Sequence, residues 1–189
     1  MNNNNKNIWA PWRMQYMLSL ADSEKDFKND NQAANIKDSD AKASKCFLAD
    51  YWDNPQNDKT NLVLFRNDKG FVLLNRYPYS NGHLLVALGE SRPRLLDYDP
   101  DQLTSLWQLI QQGTELMEQT LNPQGINTGI NQGRAAGAGI PQHLHVHIIP
   151  RWSGDTNFIT VVGGIRVVPD SLEAMYQRYI DKLQSTAGA

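Results

Sequence analysis

Three histidines alternate with apolar residues in the C-terminal third of the chain, at His143, His145 and His147. In a β-strand alternate residues point to the same face, so the pattern predicts a row of three imidazoles spaced by roughly 7 Å. The apolar residues between them, such as Leu144 and Val146, would then face the hydrophobic core. Neutral imidazoles can attack phosphorus, donate protons or bind metals, so this strand is the first candidate for chemistry.

Three interpretations of the histidine row compete. The histidines could be structural, although a strand with one apolar face and one imidazole face is hard to explain by packing. They could bind zinc, but the third alternate histidine lies far from an ion held by the other two, and no further ligand motif is nearby. We favour nucleophilic catalysis on a phosphoryl group, with His145 attacking while His143 and His147 donate to the phosphate oxygens.

A glycine-rich segment, Gly133 to Gly139, directly precedes the histidine strand. Small residues let backbone amides approach a phosphate closely, so this loop is a candidate phosphate cradle. It lacks the Gly-Lys-Ser/Thr ending of a Walker loop and the strand-turn-helix setting of a dinucleotide fingerprint. A plain flexible connection is the alternative.

Short apolar runs and turn signals predict the elements that must position these residues. Strands are expected at 62–66, 71–75, 83–88, 126–131 and 144–149, with a helix opening at Asp99-Pro100 and a last helix after Pro169. The long helix has one mostly apolar face, with residues such as Leu106 and Ile110 at helical spacing. The pattern predicts an α+β fold, an antiparallel sheet with segregated helices.

Composition divides the 189-residue chain into three predicted parts. Residues 1–20 form an N-terminal segment that packs on the body, residues 21–60 form a polar, mobile insertion, and residues 61–189 form the catalytic domain with its C-terminal helix. The net charge of −2 argues against a nucleic acid polymer as partner. A single cysteine and the lack of a membrane-spanning run predict a cytoplasmic protein with no membrane association.

Two motifs carry a resemblance to a known family. The segment Gln142-His-Leu-His-Val-His-Ile-Ile-Pro150 resembles the signature of the histidine-triad (HIT) superfamily. The segment Leu74-Asn-Arg-Tyr-Pro-Tyr-Ser-Asn-Gly-His83 resembles its fragile-histidine-triad branch. Trp9 to Met14 and Arg151 to Gly164 are similar to bacterial HIT proteins assigned as diadenosine tetraphosphate phosphorylases. The resemblance implies a HIT-like fold.

The resemblance also implies a role for each matching position. His145 would be the nucleophile that forms a nucleotidyl-histidine, His143 and His147 would orient the phosphate, and His83 would support the triad from behind. For the nucleotide, the resemblance implies Asn75 as the ribose ligand and Phe71, Leu73 and Leu85 as an apolar base pocket. The implied phosphate ligands are Asn131, Gln132, Gly137 and Gly139.

Departures from family patterns narrow the prediction. Cys46-Phe-Leu-Ala49 keeps only the first cysteine of the zinc-binding pattern of some relatives, so we expect no structural zinc and no metal site. A third histidine at His147 disfavours the hexose-phosphate uridylyltransferase branch. Gly139 and Ile140 stand where hydrolases of the fragile-histidine-triad branch often have glutamine, which disfavours a hydrolase.

The sequence therefore predicts a nucleotidyltransferase that cleaves dinucleoside polyphosphates, diadenosine tetraphosphate first among them, with phosphate as acceptor. The alternatives are a hydrolase of dinucleoside polyphosphates or nucleoside phosphoramidates, with water as acceptor, and a non-catalytic nucleotide-binding regulator. The triad chemistry requires no cofactor, although a divalent cation can accompany the nucleotide. The family resemblance implies a homodimer, formed through the long helix at 103–121 and a neighbouring strand.

Overall fold

The computed structural model describes residues 46–163 and 168–187. The predicted N-terminal segment, 1–20, and the part of the predicted insertion that precedes residue 46 lie outside the described residues. Within the described ranges, no helix is long and apolar enough to cross a membrane.

A five-stranded antiparallel sheet forms the centre of the described fold, with strand order β1-β2-β3-β5-β4. All five predicted strands are present, with ends that differ from the prediction by at most two residues. Their bounds are β1 Val63–Arg66, β2 Gly70–Leu74, β3 Leu84–Leu88, β4 Gly125–Ile130 and β5 His145–Arg151. The turn between β1 and β2 is closed by the side chain of Asn67, whose Oδ1 accepts the amides of Lys69 and Gly70. The α+β prediction is confirmed.

The long helix α2 spans Pro100–Leu121, as the sequence predicts. Asp99 caps its N-terminus and Gln102 completes a capping box, while Asn122 ends it in the left-handed conformation. Its apolar side packs on one face of the sheet together with Met175 and Tyr179 of the C-terminal helix, whose bounds are Leu172–Ala187. This packing forms the larger core and leaves the other face of the sheet for the histidines.

The boundary of the predicted mobile insertion is different in the structure. Residues 46–60, assigned to the insertion from the sequence, contain the helix α1, Phe47–Asp53, and a 3₁₀ turn, Pro55–Asn57. Leu48 of α1 is completely buried in a second apolar cluster on the histidine side of the sheet. The physical reason is composition. Residues 47–52 include several large apolar side chains that can be buried against the sheet, whereas residues 21–45 contain few.

A short helix, α3, at Phe158–Gly163 follows β5 and was not predicted. It separates the sheet from the C-terminal helix, which we call α4. The last strand thus leads into a helical connection, and the histidine face of the sheet is bordered by α1 on one side and the segment after Arg151 on the other.

Candidate active site

Strand β5 places the histidines as the alternation predicts, with one exception. Leu144, Val146 and Ile148 point into the larger core. The rings of His145 and His147 lie side by side on the opposite face, with centroids 5.1 Å apart. His143 precedes the first residue of the strand and turns into the protein interior, where it is fully buried.

His145 has the geometry of a nucleophile. Its Nδ1 lies 2.9 Å from the carbonyl oxygen of His143, an acceptor only, so Nδ1 carries the proton. In the neutral ring Nε2 is then unprotonated, with its lone pair available. The side chain is only 5% exposed, so its ring is held in a defined orientation. These features fit the predicted attack on phosphorus.

A chain of hydrogen bonds fixes His147 as a donor. The Nδ1 of His83 accepts from the backbone amide of Tyr79 at 3.1 Å and from the Nδ2 of Asn75 at 3.2 Å. The proton of His83 is therefore on Nε2, which donates to Nδ1 of His147 at 3.0 Å. His147 must then carry its own proton on Nε2, the nitrogen that remains for a substrate oxygen.

Burial keeps His147 neutral. Removal from water lowers the pKa of His147 to about 4, and the neighbouring His145 acts on that pKa in the same direction. A neutral imidazole with a proton on Nε2 can still donate a hydrogen bond. His147 therefore combines a donor function with little tendency to become charged at neutral pH.

The position of His143 contradicts the predicted phosphate contact. Its Nε2–H donates to the carbonyl oxygen of Leu88 at 2.8 Å, and its Nδ1 lies 3.1 Å from Sγ of Cys46. Burial also lowers the pKa of His143. Because both ring nitrogens are occupied inside the protein, the ring offers no proton to a phosphate. Strand periodicity missed this because His143 lies outside the regular strand.

A cavity of about 170 Å³ lies between α1 and the end of β2, and one of its walls is Leu85, the residue that pairs with His147. Leu73, Leu85 and Asn75 line it, so three of the predicted nucleotide contacts are brought together. Phe71 lies elsewhere: it is fully buried and stacks on Trp52 with centroids 5.9 Å apart. Phe71 therefore does not line this cavity, and its role as a base contact stays a prediction.

Two aromatic residues of α1, Phe47 and Tyr51, complete the cavity. Their rings pack with centroids 5.1 Å apart, and Phe47 remains 42% exposed. Sequence reasoning missed both because the stretch was assigned to the insertion. The i, i+4 spacing of two aromatic residues beside Cys46 was the signal that could have found them.

The candidate phosphate residues follow β4 and lie beside His145. Asn131 comes directly after Ile130, which pairs with Val146. Gln132 is engaged, because its Oε1 accepts the backbone amide of Leu95 at 3.0 Å. Because this side-chain oxygen of Gln132 is already bonded, Asn131 is the better candidate of the two, and both phosphate contacts stay predictions.

The glycine loop is more ordered than a flexible connection. It contains a 3₁₀ turn, Arg134–Ala136, and three of its amides, those of Ala136, Gly137 and Ala138, donate within the loop. Gly137 has a φ of +89° that favours glycine. A Cβ added at Gly139 would meet no atom within 4 Å, so its exposed backbone has room for an anion.

A larger cleft of about 520 Å³ lies beyond Tyr79, at the far end of β5. The Tyr79 ring stacks on His147 with centroids 5.6 Å apart and forms part of the cleft wall. Arg151 also lines the cleft, but it is paired with Asp155 at 2.6 Å and donates to Oδ1 of Asn127. This pairing compensates the charge of Arg151, and it holds the pKa of Asp155 far below its usual value.

Over residues 46–163 and 168–187, no cluster of three or more His, Cys, Asp or Glu side chains is arranged to hold a metal ion. The expectation of no structural zinc stays a prediction.

Comparison with known proteins places this site in a family. A family model described as the HIT domain matches residues 56–154, more than half of the chain. The chain is 34% identical over 166 residues to a protein of Mycobacterium tuberculosis named AP-4-A phosphorylase, a match that covers 87% of this chain and 77% of that relative. It is 35% identical over 89 residues to a bis(5'-adenosyl)-triphosphatase of Dictyostelium discoideum, covering 47% of this chain and 59% of that one.

Solved structures agree with the fold. A Zn-bound histidine triad family protein from Mycobacterium smegmatis aligns with a TM-score of 0.60 at 23% identity, over 76% of this chain and 96% of that chain. A hypothetical histidine triad nucleotide-binding protein from Sulfolobus tokodaii aligns with a TM-score of 0.58 at 25% identity, over 72% and 92%. With its strand order, its histidine strand and these matches, the chain belongs to the HIT domain family.

Proposed function

We propose that this HIT protein is an enzyme that cleaves dinucleoside polyphosphates by nucleotidyl transfer through His145, with inorganic phosphate as acceptor. The observation that carries the proposal is the pair of tautomers at the site. An unprotonated Nε2 on His145 stands beside a protonated Nε2 on neutral His147, with the apolar cavity adjoining. The AP-4-A phosphorylase match over most of the chain supports diadenosine tetraphosphate as the substrate.

In the first step, Nε2 of His145 attacks the α-phosphorus of the bound nucleotide. The new P–N bond forms as the P–O bond to the leaving nucleoside polyphosphate breaks, and that group leaves with its electron pair as an anion. His147 donates from Nε2 to a phosphate oxygen as charge develops there. The product on the enzyme is a nucleotidyl-histidine. The carbonyl oxygen of His143 stabilises its imidazolium charge by accepting Nδ1–H.

In the second step, a phosphate oxygen attacks the same phosphorus from the side that the first product has left. A P–O bond forms, the P–N bond breaks, and His145 regains its neutral form. Diadenosine tetraphosphate would thus yield ATP in the first step and ADP in the second. Attack by water in place of phosphate would release AMP, which is the hydrolase alternative.

The small cavity is proposed as the base site. Its volume of about 170 Å³ is below that of pockets that hold whole drug-sized ligands, so it suits one base rather than a dinucleotide. Its walls combine apolar Leu73 and Leu85 with the aromatic pair of α1. Asn75 also lines it and is the proposed ribose contact, through the second N–H of a side chain that already bonds His83 and the amide of Tyr77. No resident cofactor takes part in this scheme, and a divalent cation would enter with the polyphosphate.

Product analysis with and without phosphate tests the proposal. Diadenosine tetraphosphate is incubated with the purified chain, and ATP, ADP and AMP are separated by ion-exchange chromatography. We expect ATP and ADP in equal amounts, and only when phosphate is present. ATP with AMP, independent of phosphate, would identify the hydrolase. Tight nucleotide binding without any turnover would identify the regulator.

The nucleophile is tested by the His145→Ala variant. We expect a loss of at least about a thousandfold in kcat, because the covalent route is removed. Quenching of the wild-type reaction in alkaline denaturant before phosphate is added should trap an adenylyl adduct, because the P–N bond is stable to base and labile to acid. The adduct is detectable by mass spectrometry on the peptide that contains residue 145. A variant that kept full activity would overturn the mechanism.

A homodimer is proposed as the working assembly. Strand β4 is an edge of the sheet with a mostly exposed pattern, and Trp107 on α2 is 63% exposed beside Thr104 and Gln111. Exposed tryptophan and an open strand edge are typical of surfaces that pair. Sedimentation velocity should give twice the chain mass, and Trp107→Glu should shift it toward the monomer. The cytoplasmic location stays a prediction.

A further inference from the structure

Cys46 occupies an unusual place for a thiol. It is the N-cap of α1, where its Sγ accepts the amide of Ala49 at 3.4 Å. Oxygen-bearing side chains are strongly preferred at this position, and sulfur is a weak acceptor. Capping alone therefore does not account for a cysteine at this position, and Cys46 has a second contact.

That second contact is with the ring of His143. The two residues are 97 positions apart in sequence, yet Sγ and Nδ1 are 3.1 Å apart in the interior. Nε2 of His143 faces the carbonyl of Leu88, which can only accept, so Nε2 holds the proton and Nδ1 is the acceptor. The Cys46 S–H group is therefore the donor in this bond.

His143 is in turn joined to the nucleophile by its own backbone. Its carbonyl oxygen accepts Nδ1–H of His145 at 2.9 Å, the bond that leaves Nε2 of His145 unprotonated. The peptide that bears this carbonyl precedes the ladder of β5, and its N–H, that of Leu144, donates to the carbonyl of Arg92 at 2.8 Å. The ring contacts to Cys46 and Leu88 add a second anchor, because they fix the side chain of the same residue.

We propose that Cys46 is a positioning residue for His145, which acts by fixing the ring and backbone of His143. The inference rests on the proposed nucleotidyl transfer for its kinetic consequence, although the hydrogen-bond arrangement can be measured without it. The thiol does not touch substrate. It holds His143, whose carbonyl oxygen determines the tautomer of His145.

The test compares Cys46→Ala and Cys46→Ser in the full chain. Alanine removes the donor, whereas serine keeps a donor of similar reach. We expect Cys46→Ala to lower kcat for diadenosine tetraphosphate about tenfold with KM within about twofold, because a slightly misplaced nucleophile affects the chemical step. Cys46→Ser should recover most of the loss.

A spectroscopic readout separates positioning from general destabilisation. Long-range ¹H–¹⁵N spectra distinguish protonated from unprotonated ring nitrogens. We expect His143 in the wild type to show one tautomer, protonated at Nε2, and to lose this uniformity in Cys46→Ala but not in Cys46→Ser. Leu48→Ala is the matched control, since it removes a buried side chain of the same helix without touching His143. It should lower Tm while leaving the His143 signals unchanged.

Several results would overturn the inference. Cys46→Ala could retain wild-type kcat and an unchanged His143 tautomer, or Leu48→Ala could reproduce both effects. One zinc per chain in the purified protein would also overturn it, because a metal would replace the S–H proton between sulfur and nitrogen. Should the wild type cleave no dinucleotide, the proposed function fails alone, and the ¹⁵N comparison still decides the role of Cys46.

Discussion

Nε2–H of His83 donates to Nδ1 of His147 across 3.0 Å, joining two histidines that are 64 positions apart in sequence. Both rings are buried, and Asn75 holds the far side of His83. The bond leaves His147 with its remaining proton on Nε2. The hydrogen-bond donor that the proposed reaction needs, Nε2–H of His147, is therefore fixed by His83, the residue directly before β3.

Removal of this support should slow the reaction. In His83→Ala the tautomer of His147 is no longer imposed, so we expect kcat to fall between about tenfold and a hundredfold with a smaller change in KM. His83→Gln is the matched control, since its side-chain amide can donate near the position of Nε2, and it should retain more activity than alanine. Steady-state kinetics on purified variants would measure this. Equal loss in both variants would argue against the tautomer explanation.

The lowered pKa of His147 predicts acid sensitivity of the fold. In the folded chain its pKa is about 4, against 6.5 when unfolded. Above pH 6.5 the ring is neutral in both states, so this contribution to stability is fully present. Between these values only the unfolded chain takes up the proton, and the free energy of unfolding should fall by about 3 kcal/mol in total. Urea unfolding from pH 7.5 to 4 would measure the fall, to which buried His143 adds in the same direction.

His147→Asn provides the control for the acid experiment. Asparagine can still accept from His83 but does not titrate, so the dependence of unfolding free energy on pH should become shallower. A variant with the full wild-type slope would show that other groups cause the acid sensitivity.

The aromatic pair on α1 should govern nucleotide affinity. Phe47→Ala and Tyr51→Ala each remove a wall of the small cavity, so we expect KM to rise about fivefold to tenfold with kcat little changed. Phe158→Ala is the control, because Phe158 is 74% exposed and does not line this cavity. Isothermal titration with a nucleoside monophosphate should show weaker binding for Phe47→Ala and Tyr51→Ala than for Phe158→Ala and the wild type. A fall in kcat without a rise in KM would contradict the base-site assignment.

Gly82 is a structural position on which His83 depends. Its φ is +80°, and an added Cβ would collide with Leu121 and with Tyr179, whose hydroxyl donates to the carbonyl of Gly82 at 2.8 Å. Gly82→Ala should lower the free energy of unfolding by about 2 kcal/mol or more. Gly125→Ala, where no atom lies within 4 Å, should change it by less than about 0.5 kcal/mol. Thermal unfolding of the two variants provides the comparison.

Much of the fold and two of the three triad histidines could be predicted from local patterns. The alternation from Leu144 to Ile148 assigned one face to the core because a strand repeats every two residues. The capping signal at Asp99-Pro100 located the start of α2 because helix ends depend on nearby residues. The family resemblance indicated His83 as a support of the triad, and His83 contacts His147 in the structure. Asn75, predicted as a ribose ligand, lies against His83.

The strands, the long helix, the family and His145 as the candidate nucleophile were all accessible from the sequence, because each depends on periodicity or on a short motif. The inward turn of His143 to Cys46 and Leu88 required the folded chain. So did the small cavity, which Phe47 and Tyr51 line and Phe71 does not. These contacts join residues far apart in the chain. Their geometry depends on how α1 packs across the sheet, and no local pattern of residues encodes that packing.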